Sequence, residues 1–308
     1  MAYRILTTTS SFGKVSNEPL EMLRQAGLEV VINPYGRTLK IEESIEILPG
    51  FDGLIAGTEK LNEEVFTACP DLRYLCRLGA GMDSVDFKAA EKHNVVVENT
   101  PSAHVDGVAE LTLGGILSSL RRIGPSHANL TKGVWKKPMG GLLTGKTVGI
   151  IGLGQVGKRL VELLSPFHVK VLAFDLYEDL EFASNNRVEY TGIDNIARLS
   201  DIISIHTPYT DSSRYLIGPD FLSKVKSNVM IVNASRGGLV NEEALVEFLK
   251  SNSGASAYLD TFEKEPYQGP LCDLENCTLT PHIGSYASEV RIQMEIEAAQ
   301  KVINFFSK

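Results

Sequence analysis

The stretch Val148-Gly149-Ile150-Ile151-Gly152-Leu153-Gly154-Gln155-Val156-Gly157 decides the fold of this 308-residue chain. An apolar run of strand type leads into three glycines spaced G-x-G-x-x-G, and a helical run, Lys158–Leu164, follows. Glycine triplets arise by chance, but a strand before and a helix after are what a dinucleotide-binding turn requires. The first glycine permits the tight turn, the second lets the backbone approach a pyrophosphate, and the third lets helix and strand pack closely. The helix start then offers unpaired N–H groups and partial positive charge to the phosphates. A second strand-like run, Lys170-Val171-Leu172-Ala173-Phe174, ends in Asp175, 175 − 157 = 18 residues past the last glycine. A carboxylate there accepts hydrogen bonds from both adenosine ribose hydroxyls and repels a 2′-phosphate, which points to NAD rather than NADP. Gly152, Gly154, Gln155, Val156, Gly157 and Asp175 are therefore the candidate cofactor residues.

Outward from this stretch, short apolar runs alternate with helical ones on both sides. Before it, strands are expected at Tyr3–Thr8, Leu28–Asn33, Gly53–Ala56, Tyr74–Leu78 and Asn94–Glu98, with helices at Glu18–Ala26, Ile41–Leu48 and Val85–Lys92. From Lys146 onward, strands are expected at Thr147–Ile151, Lys170–Phe174, Ile202–Ile205, Asn228–Val232, Ala255–Leu259 and Cys277–Leu279. The helices of this half are Val156–Leu164, Asn241–Lys250 and Ser285–Phe306. This alternation predicts parallel βαβ units, and the continuous apolar strands predict sheets covered on both faces. Between the halves, Ala103–Leu120 is apolar almost all round and predicts a buried helix that links domains or packs at a subunit interface.

Composition bounds the function. The formal net charge is −8 and no Lys/Arg-rich run occurs, which argues against nucleic acid or an anionic membrane as the main ligand. No stretch approaches the roughly 18 to 20 apolar residues of a membrane span, and Met1-Ala2-Tyr3-Arg4 runs straight into a strand without a signal core. Cys69, Cys76, Cys272 and Cys277 form no C-x-x-C, so reduced thiols in a cytoplasmic protein are expected and no metal site is called for. A chain of this length exceeds one comfortable core, so two domains are expected.

Three polar segments follow the later strands: Asn233-Ala234-Ser235-Arg236-Gly237-Gly238, Asp260-Thr261-Phe262-Glu263-Lys264-Glu265-Pro266, and Thr280-Pro281-His282-Ile283-Gly284-Ser285. Singly, Arg236 reads as a structural ion pair, Glu265 as a solvated loop acid and His282 as a satisfied core or capping histidine. Together they supply what reduction of a 2-keto acid needs. Arg offers planar paired donors to a carboxylate. His titrates near neutrality and serves as acid or base when a carboxylate holds it.

These segments, with Arg77-Leu78-Gly79-Ala80-Gly81-Met82-Asp83, Asn99-Thr100-Pro101, Val108-Ala109-Glu110-Leu111-Thr112 and His206-Thr207-Pro208, resemble the D-isomer-specific 2-hydroxyacid dehydrogenases of the phosphoglycerate-dehydrogenase-like group. The resemblance runs almost end to end. It implies an α/β protein of two doubly wound parallel-sheet lobes, a Rossmann cofactor domain (residues 102–281) inserted into a flavodoxin-like substrate domain (residues 1–101 and 282–308). It further implies a homodimer built largely on the cofactor lobes and a small D-2-hydroxy or 2-keto acid as substrate, with 3-phosphoglycerate among the candidates. By resemblance, Arg236 orients the substrate, His282 is the acid/base and Glu265 polarises it. Backbone amides around Ala80 and Gly81 receive the substrate carboxylate, Asp260 sits near the nicotinamide carboxamide, and Thr207, Pro208 and Ala234 line the cofactor.

The chain departs from the family pattern at Ser102, Tyr209, Asn241, Thr261 and Tyr286, none of them in the catalytic trio. Asn241 should still cap the helix after it. Many phosphoglycerate-oxidising relatives carry an Arg in the loop that here reads Leu54-Ile55-Ala56-Gly57-Thr58-Glu59-Lys60, leaving Lys60, Arg37 and Lys14 as the nearby cations. An NAD-sensing, corepressor-like binding protein on the same scaffold is the alternative from a different class, and a formate-dehydrogenase-like enzyme a third.

Overall fold

The computed structural model describes residues 2–307. The chain divides into two units: one comprises Met1–His104 and Ser285–Lys308, the other Val105–Gly284. The cuts fall three residues after positions 101 and 281, where the sequence suggested them.

Unit 1 alternates β1 (Arg4–Thr7), α1 (Glu18–Gln25), β2 (Glu29–Ile32), α2 (Ile41–Ile47), β3 (Gly53–Ala56), α3 (Glu63–Ala68), β4 (Tyr74–Arg77), α4 (Phe87–Lys92) and β5 (Val96–Asn99). Its sheet is wholly parallel in the order β2-β1-β3-β4-β5, the flavodoxin-like order. Strand side chains alternate between two cores. Leu6, Leu54 and Leu75 pack with Phe66 on one face, while Ile5, Ile55, Tyr74 and Cys76 pack with Leu23 on the other. That division is why these strands read as unbroken apolar runs.

Unit 2 runs α5 (Val105–Leu120), α6 (Ile123–Leu130), β6 (Thr147–Ile151), α7 (Gln155–Leu164), β7 (Lys170–Phe174), α8 (Leu180–Asn186), β8 (Val188–Tyr190), α9 (Ile193–Leu199), β9 (Ile202–Ile205), α10 (Pro219–Leu222), β10 (Met230–Asn233), α11 (Glu242–Ser251), β11 (Ser256–Leu259) and β12 (Cys277–Leu279). The parallel order is β12-β11-β10-β9-β6-β7-β8, the Rossmann order with one strand added at the edge. The chain returns to unit 1 for α12 (Ser288–Phe306), which buries Val290, Met294, Ala298 and Val302 at helical spacing against β1 and β4 residues.

Two expectations change. The linking helix is not buried all round: Ala109, Thr112, Ile116 and Ser119 form one buried stripe, whereas Glu110 and Gly114 are exposed. Its inner side lies on Tyr258 of β11, where a Cβ on Gly115 would overlap the ring, and its other side has only partial cover within the chain. The short edge strand β8 and the helices α3, α6, α8, α9 and α10 were not expected; β8 and α10 are too short to show a period, and α6 buries no side chain.

Candidate active site

The glycine turn between β6 and α7 forms as the spacing requires. Gly152 has φ +93°, and a Cβ on it would overlap the His206–Thr207 backbone. A Cβ on Gly157 would overlap the Gly152 carbonyl, so only glycine lets α7 start this close to the strand. Gly154 caps α7 without any side-chain hydrogen bond, and a Cβ there would meet no protein atom within 4 Å. A helix start leaves its first-turn N–H groups, here those of Gln155, Val156 and Gly157, without intrahelical partners, a feature suited to a pyrophosphate. At the end of β7, the Asp175 carboxylate accepts from the Leu153 amide at 2.6 Å and the Tyr177 amide at 2.9 Å, which holds it beside the turn. Thr207 and Pro208 follow β9 and Ala234 follows β10, and the Ser235 hydroxyl donates to the Thr207 carbonyl at 3.2 Å. All these residues stand at carboxyl ends of strands around the β6/β9 switch point, where open α/β sheets bind ligands.

The candidate acid/base pair lies in the segments after β11 and β12. His282 Nδ1 and Glu265 Oε2 are 2.8 Å apart, with side chains 39% and 38% exposed, so the pair is reachable from solvent. The Phe262 amide donates to the other Glu265 oxygen at 3.1 Å. Burial pushes the Glu265 carboxyl up, but the hydrogen bond and charge of His282, the Phe262 amide and the Arg236 charge together hold it below the ordinary value. It stays an anion and orients the imidazole through Nδ1, leaving Nε2 as the nitrogen for proton exchange. Arg236 Nη1 donates to the Ser235 carbonyl at 2.7 Å, and the Asn233 side chain donates to the Arg236 carbonyl at 2.8 Å, which fixes the loop after β10. A Cβ on Gly237 would overlap the Phe262 carbonyl, so this glycine lets the Arg236 loop pass against the segment that carries Glu265.

A family model for the NAD-binding domain of D-isomer specific 2-hydroxyacid dehydrogenases matches residues 113–284. The chain belongs to this family. It is 34% identical over 295 residues to a D-3-phosphoglycerate dehydrogenase of Archaeoglobus fulgidus, covering 94% of this chain but 55% of that protein. It is 33% identical over 299 residues to a hydroxypyruvate reductase of Thermotoga maritima, covering 93% of this chain and 95% of that one. The chain thus spans about half the length of the first relative and nearly all of the second. A solved structure of NAD+-bound 3-phosphoglycerate dehydrogenase from Entamoeba histolytica superposes with a TM-score of 0.85 at 27% identity, covering 100% of this chain and 96% of that one.

In this family member, Gly152–Gly157 and Asp175 are thus the turn and carboxylate of an NAD-binding domain. Asp260 takes a place that the sequence did not reveal. It is fully buried, and its carboxylate accepts from the Thr280 hydroxyl (2.6 Å) and the amides of Ile283 and Gly284 (both 2.8 Å). These donors flank His282, whose own backbone is left-handed at φ +54°. Asp260 therefore clamps the strained turn that presents the imidazole. Tyr258 extends the clamp, its hydroxyl 2.9 Å from that of Thr280. Sequence reading missed Thr280 and Tyr258, because nothing local distinguishes a clamping hydroxyl from any other strand residue. In unit 1, Ala80 and Gly81 lie in the turn after β4, held by Asn99 Nδ2 on the Ala80 carbonyl at 2.9 Å and by Thr100 Oγ1 on the Gly79 amide at 2.7 Å. Tyr286 is 57% exposed, with the Arg291 guanidinium 5.2 Å from its ring centre. Lys14 and Lys60 are exposed, and Arg37 is paired with Glu43.

Proposed function

We propose that this chain reduces a small 2-keto acid to the D-2-hydroxy acid, or runs the reverse reaction, with NAD(H). The 2.8 Å contact of His282 with Glu265, beside an NAD-binding domain's own strand ends, carries this reading. When bound, the nicotinamide supplies or accepts the hydride. His282, held through Nδ1 by anionic Glu265, gives a proton from Nε2 to the substrate oxygen as it becomes an alkoxide, and takes it back in oxidation. Arg236 pairs with the substrate carboxylate and carbonyl, for which its planar fork of donors is suited. The Ala80 and Gly81 amides receive the carboxylate as a second anchor, since small residues leave the backbone accessible. Thr207, Pro208 and Ala234 line the cofactor, and Asp260 serves the carboxamide as well as the His282 turn.

We also read the chain as a homodimer. Ile123, Leu130, Val134, Trp135, Met139 and Leu142 of unit 2 are all exposed within 20 residues of one another, an apolar run of a kind that isolated soluble units rarely leave bare. Four free cysteines fit a reducing, cytoplasmic setting.

The test follows NADH absorbance with glyoxylate, pyruvate, hydroxypyruvate and 3-phosphohydroxypyruvate. His282→Ala is expected to lower turnover by about 10²–10⁴-fold with NADH affinity nearly unchanged. Equal turnover in the variant would remove the acid/base role. NADH binding without reduction of any acid would favour an NAD sensor.

A further inference from the structure

The segment of unit 2 that carries Glu265 is bare on its outer side. Glu263, Lys264, Glu265 and Pro266 are four exposed residues in a row, between the buried Phe262 and the half-buried Tyr267, whose rings stack at 4.5 Å. Glu263 ties this stretch to α11. Its amide donates to Glu242 Oε1 at 2.6 Å, and the Glu242 amide donates back to Glu263 Oε1 at 3.1 Å. The other Glu263 oxygen accepts from the Tyr215 hydroxyl at 2.8 Å. Glu242 is the first residue of α11, so its amide is one of the donors that a helix start leaves without an intrahelical partner, and the partial positive charge there favours a carboxylate. Tyr215 is held in turn, its amide donating to the Gly238 carbonyl at 2.7 Å from a left-handed backbone at φ +53°. Burial pushes the Glu242 carboxyl above the ordinary value; the Glu263 amide draws it down, and the Glu263 and Glu265 charges push it up again. Three acids that raise one another's proton affinity are an unfavourable group to keep together, yet two of them close on each other's backbone.

We propose that Glu242 and Glu263 are positioning residues for the acid/base pair, a reciprocal latch that holds the Glu265 carboxylate against His282. This rests on the dehydrogenase reading and adds two residues to its site. The peptide that joins Phe262 to Glu263 is pinned from both sides: its N–H is taken by Glu242, and its carbonyl packs where a Cβ on Gly237 would overlap it. The neighbouring Phe262 amide donates to Glu265 Oε1 at 3.1 Å, so fixing this stretch fixes the direction in which Glu265 meets His282. Hydrogen bonds from amides to an ionised carboxylate are stronger than neutral ones, which suits an exposed segment that little else holds. A catalytic group displaced by about 1 Å slows a reaction by up to about 100-fold. The two glutamates follow β10 and β11, whereas the cofactor turn follows β6, beyond β9 in the sheet. Opening the latch therefore slows proton transfer and leaves NADH binding as it is.

The experiment measures kcat and KM with NADH and whichever of glyoxylate, pyruvate, hydroxypyruvate and 3-phosphohydroxypyruvate wild type reduces fastest. Glu263→Ala is expected to lower kcat by about 10- to 100-fold, with KM and NADH affinity within about threefold of wild type. Glu242→Ala should do the same, and the two together should do no more than either alone, since each opens the same latch. Glu263→Gln keeps an acceptor for the Glu242 amide and the Tyr215 hydroxyl, and should hold kcat within about threefold of wild type. In a Glu265→Ala background no carboxylate is left to position, so adding Glu263→Ala should change kcat by less than about twofold. Glu243→Gln, which removes the next charge along α11, is the control and should leave kcat unchanged. NADH affinity and the thermal midpoint report whether each variant folds. Wild-type kcat in folded Glu263→Ala and Glu242→Ala proteins overturns the latch, as does an equal fall in kcat with and without Glu265. A loss confined to KM also overturns it, because it assigns the glutamates to substrate binding. Failure of wild type to reduce any of the four acids while NADH binds overturns the dehydrogenase reading itself, and the latch with it.

Discussion

Glu265 and His206 show how position, not residue type, sets the charge of a side chain here. Glu265 is held anionic by His282 and Arg236 despite partial burial. Its contribution to stability is present above the ordinary glutamate value and is lost as pH falls through its lower folded value. His206 follows β9 with Nε2 2.8 Å from the Ser204 hydroxyl, and burial alone lowers it from 6.5 to about 4. The unfolded chain therefore binds a proton between pH 6.5 and 4 that the folded chain does not, so stability falls as pH drops across that window. The loss from this one residue is on the order of 3 kcal/mol. A denaturant-midpoint series from pH 7 to 4 should show a shallower decline for His206→Gln than for wild type, and parallel curves would contradict the assignment. His282, Glu265 and Arg236 were legible as residue types at strand ends. The clamp on His282 by Asp260, Thr280 and Tyr258 was not, because it joins β11 to the turn after β12 through side chains that are ordinary in sequence.

Elements were legible where side chains repeat with a period and where a cap closes the end. Asn241 stands where relatives often carry Asp, and its side chain accepts from the Ala244 amide at 2.9 Å to cap α11. Asn241→Ala should cost about 1 kcal/mol, read as a lower denaturant midpoint, with kcat unchanged because the cap touches none of the reacting groups. On α5, Gly115→Ala would press a methyl into the Tyr258 ring and should destabilise by about 1–3 kcal/mol, with Gly114→Ala as the exposed control. Short elements escaped detection, α3, α8 and α9 among them, because six or seven residues give barely two turns of apolar repeat. α6 buries nothing within the chain, β8 is a three-residue edge strand, and α10 has only four residues. α5 was misjudged in the other direction, since leucines around its whole circumference do not show which of them the fold covers.

At the scale of the whole molecule, the exposed apolar run from Ile123 to Leu142 is the surface proposed for a second copy. Trp135 is 79% and Met139 93% exposed. Trp135→Glu combined with Met139→Glu should convert a dimer to a monomer in light scattering, with the NADH site of each unit 2 intact. A wild-type monomer at micromolar concentration would refute the dimer. The sequence alone determined the parallel βαβ character of both sheets, all their strands but β8, and the cofactor turn, and it named the candidate reacting residues. Those features depend on periodicity, on glycine at fixed intervals and on residue chemistry, all of them local. Only the tertiary structure decided that Asp260 holds the His282 turn, that one stripe of α5 is buried, and that Glu242 and Glu263 close on each other's amides. Each of these depends on which distant backbone or side chain comes within hydrogen-bonding or van der Waals reach, and no local pattern encodes that proximity.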